Sequence, residues 1–455
     1  MSASALADRV SSIRLEPGKD VGILHVPTVN TEAVQAAGRV LQQNHDDIHP
    51  FFSYMDRDGV HMHNHLVHHA LTLVALGANS DQVRHFYDIN TPYQRPAVPI
   101  NEGVLGNLSQ SSVYKKSLGN EDNYTSFLRF FESEIAAKGV PGVLQEYMFA
   151  EDFKSDDMFV RMYMGLLHPL IHLGFGVEFN QPAIVAEALA QAAVHSDDYF
   201  FTFFHEAEAL AKRPGVPKKS LAELVDLAAA DENCRKAANS EIFDKMLDGV
   251  LKNAKAEFLN LAVQYRVEED EIETRTAELC NATAYITVGA QRLNKSPRMD
   301  FFLLHSLNVS IFHGVFAKQS WIPNSAKARL LTYTGRLALL THISMGAPAL
   351  NLDVIRNYNA VNTESSWETV IERAVNHPDD GHAAKMIRAL KYAEQVTAPY
   401  TGRAEFRVKG ADFLKAGVAV VDTLNPKGGK AGPYEDESWI RGAGFDDVWD
   451  NVPDA

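Results

Sequence analysis

Cysteine is nearly absent. Two thiols in 455 residues cannot build a disulfide framework or a zinc ribbon. Cys234 and Cys280 stand apart from any Cys-x-x-C pair, and both are expected to be free and reduced. Long apolar runs are missing too: nothing approaches the roughly 20 residues of a membrane span. Met1–Arg14 is small and polar, without the apolar core of a signal peptide. An intracellular, cytoplasmic chain with no membrane partner is expected, so the sequons at Asn107, Asn123, Asn281, Asn294 and Asn308 carry no weight. Basic charge is scarce: 43 Lys and Arg stand against 58 Asp and Glu, for a net charge of −15. No basic stripe marks a nucleic-acid surface, and the acidic balance serves solubility. Nucleotide and hydrolase signatures are also lacking. Gly428-Gly429 and Gly442-Ala443-Gly444 neither follow a β-rich run nor have the G-x-G-x-x-G spacing of a dinucleotide fold. There is no Walker A motif, no G-x-S-x-G elbow and no H-E-x-x-H.

What remains is ordinary globular material, 46% hydrophobic and 22% charged. Residues 1–30 read as an extended segment with a short strand at Val21–Val26, stopped by Pro27. Helical periodicity then dominates. It predicts helices over Thr31–Asn44 behind a Thr N-cap, His63–Leu76, Asp81–Ile89, Tyr124–Lys138 and Met158–Leu173. Further ones are predicted over Ala183–His195, Leu221–Ala229, Ile242–Tyr265, Glu271–Ala290, Phe301–Ala317, Ala326–His342, Ser366–Arg373, Gly381–Val396 and Ala411–Val421. Residues 91–123, rich in proline and glycine, read as a long irregular connection. From about residue 424 an irregular tail carries Trp439 and Trp449, enough aromatic surface to pack back onto the body. With no internal repeat and no alternating strands, the expected fold is all-α: one large helical domain over 31–455.

The eighteen histidines are unevenly placed. His61, His63, His65, His68 and His69 fall within nine residues, running into the apolar stretch Ala70–Leu76. Residues four apart share a helix face, so His65 and His69 are expected to point the same way. A second such pair, His168 and His172, lies among aliphatics in Gly165-Leu166-Leu167-His168-Pro169-Leu170-Ile171-His172, where Pro169 should kink or restart the helix. His305 follows Asp300-Phe301-Phe302-Leu303-Leu304. Two imidazoles at this spacing supply two metal ligands from one rigid element, and facing helices can complete the set. Imidazole suits iron, zinc, copper and nickel alike, so the ligand type leaves the metal open. The competing reading is a hydrogen-bonded core histidine, which is favoured for His305 taken alone. His45, His49, His85, His195, His205, His313, His377 and His382 are read as surface or structural. His45-Asp46 prompts a phosphohydrolase reading, but Ala70 rather than Asp follows His68-His69.

Three segments together resemble the questin oxidase-like family: His63-Asn64-His65-Leu66-Val67-His68-His69, Gly165–Gly174 with Gly176-Val177-Glu178-Phe179, and Asp300–His305. The likeness runs from about Leu41 to the Gly442–Trp449 stretch. It implies a helical oxidoreductase performing Baeyer–Villiger-type oxygen insertion or oxidative ring opening on anthraquinone- or xanthone-like polyketides. It also implies Fe(II), held by histidines, as the metal in at least some members. One departure stands out. Such sequences often carry a lysine two residues before the arginine of Tyr333-Thr334-Gly335-Arg336, where this chain has Thr334; Lys327 and His342 lie on the same predicted helix.

The expected site therefore has His65, His69, His168, His172 and His305 as metal ligands, with Glu178 and Tyr163 as catalytic candidates and Arg161 as a pocket candidate. The partners are a small aromatic substrate and dioxygen, with NADPH the candidate reductant. Two rival readings use the same residues: a zinc-type hydrolase with an activated water, and a non-catalytic binder of aromatic ligands.

Overall fold

In the computed structural model, residues 10–196, 200–361, 365–424 and 438–454 are described. The first nine residues and residues 425–437, the Gly428-Gly429 pair among them, lie outside that set. The all-α expectation holds: helices make up nearly all the regular structure, and the only named strands among the described residues are two of two residues each. No helix among the described residues is long and apolar enough to cross a membrane. Cys234 and Cys280 are buried and unbridged.

The chain forms two compact units: residues up to Phe201 with Lys318–Pro323, and Thr202–Ala317 with Asn324–Ala455. The first unit is built from α1 (Thr31–Asp47), α2 (Leu66–Ala75), α3 (Ser80–Asn90), α4 (Tyr124–Leu144), α5 (Phe153–Arg161), α6 (Met164–Glu178) and α7 (Pro182–Val194). Asn30, not Thr31, caps α1, its side chain accepting the Ala33 N–H at 3.0 Å. Helix α7 starts at Pro182 and is buried along Ala183–Val194. Its alanines let it lie close to α4 and α6. At the α6–α7 crossing a Cβ on Gly176 would stand 2.8 Å from the Val185 backbone nitrogen, so only glycine permits this approach.

The second unit centres on α9 (Ile272–Gly289), which packs against α8 (Leu221–Ala230), α10 (Leu303–Ala317), α11 (Asn324–Ser344) and α13 (His382–Thr397). Helices α12 (Trp367–Val375) and α14 (Ala411–Thr423) pack on α13. Residues 438–454 join this unit. Met299 and Asp300 pair in parallel with Trp439 and Ile440. The buried Asp300 carboxylate accepts N–H bonds from Gly442 (2.6 Å) and Ala443 (2.8 Å), and Trp439 and Trp449 are buried.

Several local expectations fail for physical reasons. Val21–Val26 forms no strand: no neighbour offers it a ladder, and its N–H groups find helix ends instead, Val26 N–H on the Ala75 carbonyl and Ile23 N–H on the Glu178 carboxylate. The Met158–Leu173 helix divides between α5 and α6, and Ile242–Tyr265 divides into a π-turn at Lys245–Leu251 and a helix at Lys255–Ala262. Tyr124–Lys138 continues to Leu144 through a break at Gly139. The 91–123 connection contains short helices at Glu102–Leu105 and Ser111–Ser117. The largest revision concerns the histidine run: α2 begins at Leu66, not at His63.

Candidate functional site

Upstream of α2 the chain is extended. Phe51 bridges His63 in antiparallel fashion, the Asn64 N–H donates to the Pro50 carbonyl at 2.8 Å, and the Asn64 side chain accepts the Leu66 N–H at the start of the helix. In extended backbone, alternate residues share a side. His61 and His63 accordingly both reach His195, His61 through Nδ1 to Nδ1 at 3.4 Å and His63 through Nε2 to Nε2 at 2.8 Å. His65, at the N-cap of α2, places its Nε2 2.7 Å from Nε2 of His168. One turn on, His68 Nε2 lies 3.1 Å from His172 Nδ1. The rings of His63 and His168 stack at 4.0 Å. The result is a contiguous row of buried imidazoles in one unit: His61, His195, His63, His168, His65, His68 and His172.

The backbone is shaped to allow this. At the start of α6, Gly165, Leu166 and Leu167 adopt φ of 48°, 57° and 71°. Left-handed conformations at two leucines are strained, and such strain persists only where the surroundings over-determine it. A Cβ on Gly165 would stand 2.4 Å from His63 Cε1 and 2.6 Å from His195 Nε2. Its φ favours glycine, and the imidazoles against it leave no room for a Cβ. The same turn presents the Gly165 carbonyl to His168, whose Nδ1 donates to it at 2.5 Å. Pro169 lies within the helix one residue later, as the kink expectation implies.

Carboxylates close the row at its α6 end. His172 Nε2 donates to Glu187 at 2.7 Å, and the other Glu187 oxygen accepts from His45 Nδ1 at 2.6 Å. His45 Nε2 donates to Glu132 at 2.8 Å. At the other end, burial and the nearby Arg95 guanidinium push the His61 pKa down to about 4. Burial, with His61 and Arg161 nearby, holds His195 well below its ordinary value. Both rings are neutral near pH 7.

The second unit holds a smaller arrangement. His305 Nδ1 donates to the Phe301 carbonyl at 2.7 Å, and its Nε2 lies 3.4 Å from Nε2 of His382, whose Nδ1 is bound to Asp380 at 2.5 Å. Burial lowers the Lys385 pKa to about 8, against the pull of Asp380 and Asp379. His313 Nε2 is hydrogen-bonded to the Thr334 hydroxyl at 2.8 Å, so the residue at the expected lysine position partners a core histidine. His342 and Lys327 are buried.

Of the residues expected from sequence, His65, His168 and His172 come together in the row. The ring of His69 packs on Phe86 of α3, at 5.0 Å. His305 lies in the second unit. Glu178 accepts the Ile23 N–H at 2.6 Å, an anchor for the N-terminal segment. Tyr163 is wholly buried beside Phe159, immediately ahead of α6. Arg161 bonds Asp157 and the His195 carbonyl. Sequence reasoning missed His61, His63, His68 and His195 as members of the row, and Glu187, Glu132 and His45 as its carboxylate end. The His-x-His-x-His alternation at 61–65 was the available signal, with a period of two rather than 3.6.

The fit to a metal is tested by the ring nitrogens. Metal-binding histidines usually commit one nitrogen to a carbonyl or carboxylate, which orients the other. His168 and His172 have that arrangement, on the Gly165 carbonyl and on Glu187, and each turns its other nitrogen to a second imidazole. The row's ring nitrogens thus converge in two pairs, His65 with His168 and His68 with His172, each able to supply two imidazole ligands to a transition metal.

Comparison with known proteins agrees on the family. The questin oxidase-like family model matches residues 62–390. Similar proteins include a Baeyer–Villiger oxidase of Pestalotiopsis fici, 37% identical over 92% of this chain and 94% of the relative. A Baeyer–Villiger monooxygenase of a Cryptosporiopsis species is 37% identical over 96% and 98%. A questin oxidase of Aspergillus terreus is 37% identical over 95% of each chain. The chain belongs to the questin oxidase-like family.

Proposed function

We propose that this member of the questin oxidase-like family is an oxygenase of fused aromatic polyketides, acting by Baeyer–Villiger-type insertion or oxidative ring cleavage at a histidine-held iron. The observation that carries the reading is the pairing of oriented imidazoles, His168 with His65 and His172 with His68. Each pair would supply two ligands to a metal, and His305 is a further candidate ligand within its own unit. Bound iron supplies the one-electron chemistry that lets dioxygen react with a closed-shell organic substrate.

The protein's own groups do the rest. The Gly165 carbonyl and Glu187 orient the two α6 imidazoles, and burial of the row keeps bulk water away. Tyr163, buried at the start of α6, is the candidate to hold a proton at its phenolic oxygen. Glu178 remains a catalytic candidate at the far end of that helix. The names of the relatives and the apolar setting support a flat, mostly apolar substrate of the anthraquinone or xanthone type. Insertion of one oxygen atom, with the other leaving as water, takes two electrons from an external reductant such as NADPH. Cleavage that keeps both atoms takes none beyond the substrate's own.

The test is turnover of a polyketide anthraquinone or xanthone under ¹⁸O₂, with mass spectrometry of the product and elemental analysis of the protein. Label from dioxygen and near-stoichiometric iron are expected. Label arriving only from water, or turnover unchanged under strict anaerobiosis, would leave hydrolysis as the better account.

A further inference from the structure

Five helices of the first unit contribute to one buried line of polar groups. It runs from His68 on α2 to His172 on α6, Glu187 on α7, His45 in the last turn of α1 and Glu132 on α4, where Arg129 closes it at 2.9 Å. Each contact from His172 to Arg129 joins a donor to a carboxylate, at 2.6–2.9 Å. Only Arg129 is substantially exposed. Buried charges are tolerated when they are paired, and here two carboxylates face one imidazolium and one guanidinium, which sum to zero. The last turn of α1 adds the negative end of a helix dipole to the His45 site.

We propose that the Glu132–His45–Glu187 triad is a positioning device: it keeps the proton of His172 on Nε2, so that Nδ1 is the atom turned toward His68. A carboxylate can only accept, so a 2.7 Å contact between Glu187 and His172 Nε2 requires the hydrogen on that nitrogen. His45, held between two carboxylates, stays protonated and keeps Glu187 ionised. Both Glu187 oxygens are engaged by ring nitrogens, His172 Nε2 at 2.7 Å and His45 Nδ1 at 2.6 Å. Burial opposes the charge on His45, and its bonds to Glu132 and Glu187 raise its pKa to about 10. Glu187 is therefore a positioning residue acting through His172. The tautomer stands independently of any metal; only its consequence for metal holding rests on the proposed oxygenase reading.

The test begins with metal-free protein carrying ¹⁵N-labelled histidine. Two-bond ¹H–¹⁵N spectra report which ring nitrogen bears the proton, and the His172 signals are assigned by difference from His172→Gln. Wild-type protein should show His172 protonated on Nε2, which needs no variant that risks misfolding. In Glu187→Gln the amide can donate as well as accept, so the tautomer should become mixed. Cobalt(II) affinity should then fall about 10–100-fold, with Glu132→Gln falling less. A wild-type proton on Nδ1 would overturn the proposal, as would unchanged cobalt affinity in a folded Glu187→Gln. Wild-type protein that binds neither cobalt nor iron would sink the metal reading and leave the tautomer assignment to be decided by the spectra alone.

Discussion

His172 and His313 look alike in sequence, each on a helix of aliphatic and aromatic residues, and both are buried. Their polar company differs completely. His172 lies between a carboxylate and another imidazole, whereas the side-chain hydrogen-bond partner of His313 among the described residues is the Thr334 hydroxyl, and burial pushes its pKa to about 3. The contrast extends to the two units. In the first, imidazoles touch one another in a row with ionised partners at its α6 end. In the second, His305 meets His382, which Asp380 backs, while burial keeps His313 and His342 uncharged. An apolar helix around a histidine therefore does not distinguish a ligand from a core residue; the groups brought up by other helices do.

Alanine substitutions should break this contrast most sharply. His168→Ala and His172→Ala are expected to remove the metal and lower turnover by about 10²-fold or more, because small misplacements at a reacting centre cost that much. His313→Ala should destabilise the fold by about 1–3 kcal/mol, from its lost bond and the Thr334 hydroxyl left behind, while metal content per folded molecule is unchanged. His377→Ala should likewise spare the metal. Metal analysis beside urea unfolding separates the cases, and normal iron in folded His172→Ala would remove the distinction.

Two glycines sharpen it further. Gly165 and Gly59 both lie in the left-handed region, with φ of +48° and +69°. Around Gly59 a Cβ would meet nothing within 4 Å, whereas at Gly165 it would strike His63 and His195. Gly59→Ala should cost only backbone strain, about 1 kcal/mol. Gly165→Ala should cost about 1–3 kcal/mol more, the range for overpacking a filled site, and should weaken metal binding because the imidazoles must move. Equal losses of stability and unchanged metal affinity in the two variants would show that the row tolerates displacement.

The charged and the neutral buried histidines should also respond to pH with opposite sign. The pKa of His45 is raised when folded, so its contribution is fully present below about 6.5 and is lost as pH climbs through about 10. His313 and His342 are both lowered to about 3 by burial, so the unfolded chain takes up protons first. Their contribution is present above about 6.5 and is lost as pH falls toward 3. His45→Gln should flatten the alkaline limb of the stability profile, and His342→Gln the acid limb. If the variants altered the same limb, the assigned charge states would be wrong.

The helical architecture was legible because its signals are local: periodicity, caps, and glycine or proline stops. Helix α7 begins at Pro182 and α14 at Ala411, close to expectation, because nothing distant decides them. The site was half legible. His65, His168 and His172 stand out by spacing, but Glu187 lies in Pro182-Ala183-Ile184-Val185-Ala186-Glu187, where a single acid on an alanine-rich helix reads as surface. Only the crossing of α1, α4, α6 and α7 shows that it is buried between two imidazoles. From sequence His195 reads as surface or structural for the same reason, since the Gly165 turn that admits it beside His63 depends on contacts more than a hundred residues apart.

The smallest expected effect is at His69, and it tests how the histidine run is phased. A helix starting at His63 would put His65 and His69 on one face. The helix starts at Leu66 instead, with His65 as its N-cap. The His69 N–H closes the first turn onto the His65 carbonyl at 2.8 Å. From that start, the ring three residues on, His68, meets His172, while His69 is carried a further 100° around the axis to Phe86. His69→Gln should therefore leave metal content and turnover near wild type and cost about 1 kcal/mol from weaker packing on Phe86. His68→Gln should lower metal affinity at comparable stability. If His69→Gln loses the metal and His68→Gln keeps it, the four-residue spacing governs the site after all, and the extended alternation at 61–65 is only the way the chain enters the helix.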